Sequence, residues 1–174
     1  MRDYPLFVPP PELAVKTPRE WTKDEAASYS VWLQSHARER VDGLLRFFGI
    51  ERGAPSAVLL RELGKRVTEA LRSEQFSRGG ILTTAGLALS ADMGLLLAEL
   101  LLKDCDRGLQ WETVQKPRSD ADFHQPILSG FGSLSFNPIG GSVAEAAGVL
   151  SGRRDGDFWG QDRLDFLGER LISV

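Results

Sequence analysis

The residues best equipped for chemistry are Asp120-Ala121-Asp122-Phe123-His124. In an extended segment, side chains two apart point the same way, so Asp120, Asp122 and His124 would face one point. Two carboxylates and an imidazole suit a divalent metal, or an acid/base group with partners. A metal needs further ligands, and the sequence identifies none. The plainer reading is a polar loop joining two strands.

A second candidate is Asn137-Pro138-Ile139-Gly140-Gly141-Ser142. Gly140, Gly141 and Ser142 open a helix whose N–H groups and positive dipole end can hold an anion. The lysine and spacing of a phosphate loop are missing, as is the dinucleotide fingerprint. Glycines here also serve close packing of a helix on its neighbour. The third candidate is a carboxylate pair. Asp92 and Glu99 are seven apart and share one helical face, which Lys103 continues. They form either an acid/base pair or a narrow polar seam reaching solvent, and an apolar helix needs such a seam more often than it carries a site.

No G-x-S-x-G, H-E-x-x-H or Ser–Lys motif occurs. Cys105 is the sole cysteine, so an internal disulfide and a thiolate zinc site are excluded, and its neighbours Asp104 and Asp106 disfavour the thiolate. The balance falls against an enzyme, and no cofactor is expected.

The element that must position these groups is Gly80–Lys103. From Ala85 to Leu102 only Ser90, Asp92 and Glu99 are strongly polar, so a helix over 85–102 belongs at the centre of a domain. Residues 1–16 form an extended arm whose prolines exclude regular helix, read as a strap over the core rather than as a PxxP ligand. Trp21, the Thr22–Glu25 capping box and Gly49 bound a long helix over Lys23–Phe48. Pro55 opens a second helix, with Leu59, Leu63, Val67 and Leu71 as its stripe, ending near 72–76. Ser77–Gly80 reads as a flexible joint. Leu109–Val114, Pro126–Phe131 and Leu134–Phe136 read as strands of a small antiparallel sheet. Asn137 caps another helix, which Gly152 ends, and Asp157–Ile172 reads as a last one. The fold class is α+β: a mainly helical single domain, residues 1–174, around the buried helix at 85–102, with a small sheet from about 109 to 136.

With 174 residues, 42% hydrophobic and 26% charged, the chain can bury a sizeable core. A net charge of −3 and a pI near 5.5 give no reason to expect nucleic acid. Asp92 at the middle of the apolar run argues against a bilayer span, since Asp there costs about 3 kcal/mol. The N-terminus shows no signal-peptide pattern, so a cytoplasmic location is expected.

The runs PPPELAVKTPREWTKDEAASYSVWL, LTTAGLALSADMGLLLAELLL with LQWE, and FNPIGGSVAEAAGVLSG with DFW resemble a family of uncharacterised small bacterial α+β proteins. Such acidic proteins are similar to immunity or accessory proteins found beside secreted toxins. The resemblance carries no catalytic motif, so it transfers no residue role. It implies a bacterial, non-enzymatic protein-binding module, with a toxin or other protein as partner. Under that reading an exposed patch of aromatics and acids, with the 115–125 loop contributing, would bind. The alternative is a small enzyme or metal- or ligand-binding protein using the Asp120–His124 loop. A cleft joining Asp122 or His124 to the polar seam of the central helix would favour the alternative.

Overall fold

The computed structural model describes residues 3–104, 108–131 and 134–153. After the arm, Pro11–Ala14 forms one helical turn, α1, and Pro18–Glu20 a 3₁₀ turn. The expectation that prolines exclude helix from the arm therefore needs correcting. Pro11 stands at the first helical position, where its missing N–H costs nothing.

Helix α2 spans Lys23–Phe48, as its caps predict. The Thr22 hydroxyl accepts from the Glu25 N–H, and the Glu25 carboxylate accepts from the Thr22 N–H. Trp21 packs with Ala26 and Leu13 as the hydrophobic staple. Gly49 ends the helix at φ 63°, a left-handed position that a side chain would strain. Helix α3, Ser56–Leu71, buries Leu59, Leu63, Val67 and Leu71 on one stripe, with Leu60 beside them.

The expected flexible joint is instead a tight hairpin of β1, Ser77–Arg78, and β2, Ile81–Leu82. Gly79 and Gly80 both hold positive φ, as a two-residue hairpin turn requires. Helix α4, Thr84–Asp104, follows. Then come β3, Gln110–Thr113, β4, Pro126–Phe131, and β5, Leu134–Phe136, in an antiparallel sheet of order β3-β4-β5. Helix α5, Pro138–Leu150, closes the described chain. The helix expected over 157–172 and Cys105 both lie outside the described residues.

Helix α4 is apolar on nearly all sides, and thirteen of its residues are buried. It is long and apolar enough to cross a membrane, yet 72% of that stretch is buried inside the fold, as a core helix requires. It packs chiefly on α5 and α2, with α3 also touching it. Two glycines let its neighbours approach. A Cβ on Gly94 would lie 2.4 Å from the Pro138 carbonyl oxygen, and one on Gly86 2.0 Å from that of Phe76. The start of α5 and the chain before the hairpin thus rest directly on the backbone of α4. Leu128 and Phe131 of β4 pack on Ala98, which joins the sheet to the same helix.

Candidate functional site

The seam expected along α4 divides into two unlike clusters. Asp92 is 1% exposed. Arg40 from α2 grips it with two donors, Nε to Oδ1 at 2.8 Å and Nη2 to Oδ2 at 2.6 Å. The Tyr4 hydroxyl donates to Oδ2 at 2.6 Å. The same guanidinium donates onward to the Leu6 and Pro5 carbonyls at 2.9 and 3.0 Å. Burial pushes the Asp92 carboxyl up to about 6, against the pull of Arg40 and then of Tyr4. Burial, with Asp92 alongside, holds the Tyr4 hydroxyl well above its ordinary value. Every polar side-chain atom of this trio is engaged in joining the two helices or in holding the arm on them. Tyr4 is thus part of the core, where the strap meets it.

Glu99, two turns further along, is part-exposed. It pairs with Arg52 through both oxygens, and Arg52 Nε also donates to Asp42 at 2.6 Å. Lys103 is exposed at the end of α4. Asp92 and Glu99 therefore do not form one site: α2 covers the first, and the second meets solvent.

Beside Glu99 opens a cleft of about 400 Å³. Its walls are Gln34, Ala37 and Arg38 of α2, Arg52 of the loop that follows α2, Leu95, Glu99 and Leu102 of α4, and Trp111 of β3. Leu102 is 37% exposed and Trp111 half-buried, while Leu95 forms a buried apolar surface below. The cleft offers an indole and two guanidiniums, types enriched among the residues that dominate binding at protein interfaces, beside an apolar leucine. Arg52 is already neutralised by its two carboxylates, whereas Arg38 makes no ion pair among the described residues. Spacing alone did not single out Arg38, Leu102 or Trp111. The signal was there in one respect, since Trp111 falls in the alternating run Leu109–Val114 of a short strand, and it is only half-buried there.

The Asp120–His124 segment is a turn rather than extended chain, so the expected alternation does not arise. The Asp122 N–H donates to Asp120 Oδ1, the local bond by which Asp favours turns. Asp122 Oδ1 in turn accepts from Asn137 Nδ2 at 2.7 Å. His124 sits at φ 64°, stacks on Phe123 with centroids 3.8 Å apart, and is buried with no partner for Nδ1. Among the described residues, no three His, Cys, Asp or Glu side chains converge where a metal could sit.

Asn137 links this loop to the other candidate. Its Oδ1 accepts from the Gly140 N–H at 2.8 Å, and its carbonyl accepts from the Gly141 N–H. Those first-turn donors, which an anion would need, are already used by the cap. Ser142 is fully buried. Gly140 is small because the Asn137 amide folds over it: a Cβ there would lie 2.8 Å from Nδ2. The structure thus brings Asp122 and Gly140 together through Asn137, as a corner that seats α5. None of the residues from 115 to 125 lines the cleft at Trp111.

No family model matches the chain, and neither a curated protein nor a solved structure does.

Proposed function

We propose that this protein is a bacterial, cytoplasmic, non-enzymatic protein-binding module of immunity or adaptor type, and that its partner docks at the cleft between α2, α4 and β3. The observation that carries the reading is the lining of that cleft. Trp111 and Leu102 supply an apolar anchor, Arg38 supplies a free charge, and the Arg52–Glu99 pair supplies a polar rim. The immunity or adaptor role rests on the sequence resemblance. Asp120, Asp122 and Asn137 spend their polar groups on the loop's own turn and on the start of α5, which disfavours catalysis by those carboxylates.

The test is to identify the partner by crosslinking in the source organism and then to measure affinity with both proteins purified. Arg38→Glu, at an exposed position, is expected to weaken binding tenfold or more while thermal unfolding stays put. Arg61→Glu, on the outer face of α3, is expected to change neither. A small-molecule turnover abolished by His124→Ala would contradict the proposal.

A further inference from the structure

The arm is held to the body in an unusual manner. No backbone–backbone hydrogen bond joins residues 3–9 to the rest of the chain among the described residues. Its attachment is made of side chains instead. The Tyr4 ring stands edge-on to Phe47 and Phe76, with centroids 5.0 and 5.7 Å away, and its hydroxyl reaches the Asp92 carboxylate. Arg40 takes the next two carbonyls, and the Phe7 ring lies between Arg40, 5.2 Å away, and the edge of Trp32. Pro5, Leu6 and Val8 face solvent. A segment with one buried aromatic anchor, two consecutive carbonyls bonded to a guanidinium and the side chains between its aromatics exposed is how a bound peptide sits in a receptor. Pro9-Pro10 then forms a short stiff link between that segment and α1.

We infer that the cleft between α2 and α4 floored by Asp92 and Arg40 is a peptide-binding site, which the arm fills in cis and which accepts in trans an extended partner segment bearing a tyrosine followed by two accessible carbonyls. The tyrosine is required for its hydroxyl as well as its ring. The Asp92 carboxyl is shut away from water, so an anchor without a donor leaves Oδ2 with the Arg40 bond alone. This site is separate from the one at Trp111, and the two readings stand or fall apart.

The test uses the full chain carrying Tyr4→Ala, which vacates the anchor position, and a fluorescent synthetic peptide of residues 3–12. The peptide is expected to bind saturably by anisotropy and to raise the melting temperature of the Tyr4→Ala chain. A peptide with phenylalanine in place of the tyrosine is expected to bind roughly tenfold more weakly or worse, and one with alanine not to bind. Where Tyr4→Ala does not fold, Tyr4→Leu takes its place. If neither folds alone, recovery of helical circular dichroism on adding the peptide gives the same answer. No binding by the tyrosine peptide, or equal binding by the tyrosine and phenylalanine peptides, would overturn the inference, and an Arg61→Glu change on the exposed face of α3 is expected to leave all these readings unaltered.

Discussion

Helix α4 presents two carboxylates to arginines on its α2 side, and the two pairs do different work. Asp92 is taken out of water and Arg40 nearly so, Asp92 also accepts from the Tyr4 hydroxyl, and the pair ties the arm to the core. Glu99 and Arg52 remain at the surface, where the guanidinium is shared with Asp42 and solvent screens all three. Asp92 and Glu99 stand seven positions apart, about two helical turns, enough to pass from the covered part of the helix to its wet end. Chemistry of the pair is therefore no guide to its worth; depth is. Breaking a buried pair strands a charge in a poor solvent, while breaking a surface pair returns two ions to water.

The largest expected effect is at the deep pair. Asp92→Ala leaves Arg40 and the Tyr4 hydroxyl without their acceptor, and urea unfolding should show a loss of about 3–5 kcal/mol. The next expectation concerns pH. Asp92 has an ordinary value of 3.8 and a folded value of about 6. Between the two, the folded chain binds a proton that the unfolded chain does not. Stability contributed by this group is complete below about pH 4 and is lost as pH rises through 6, by up to about 3 kcal/mol. Asp92→Asn should flatten that slope. Glu20 and Glu25 act with the opposite sign: bonds from Thr17 and from Lys16, respectively, hold them below the ordinary carboxylate value of 4.5. Their contribution is lost only as pH falls beneath that range, so the two slopes separate in a titration of unfolding free energy. The smallest effect is at the surface pair. Arg52→Ala should cost under about 1 kcal/mol, and the difference should shrink in high salt.

The elements were readable wherever a local rule governed them. The Thr22–Glu25 box and Gly49 bound α2 to the residue, and Asn137-Pro138 places the start of α5, because caps act over three or four neighbouring positions. The apolar run placed α4 at the centre for the same kind of reason. What escaped depends on contacts distant in sequence. That Tyr4 reaches Asp92 across 88 positions is a property of the assembled core, and alternation along 120–124 failed once Asp120 closed a turn on the Asp122 N–H. The glycines at 140 and 141 were legible as close-packing residues only in part. The tight approach between helices is at Gly94, whose neighbour Pro138 comes from a different element. The cleft at Trp111 is built from four separate stretches, so no window of sequence contains it.

The division of labour between the deep pair and the open cleft is tested most directly by measuring, on the purified partner complex, the affinity and the unfolding free energy of Arg38→Glu together. Affinity lower by tenfold or more with unchanged stability is the predicted result. An unchanged affinity in a folded protein would contradict the assignment of this cleft as the docking face.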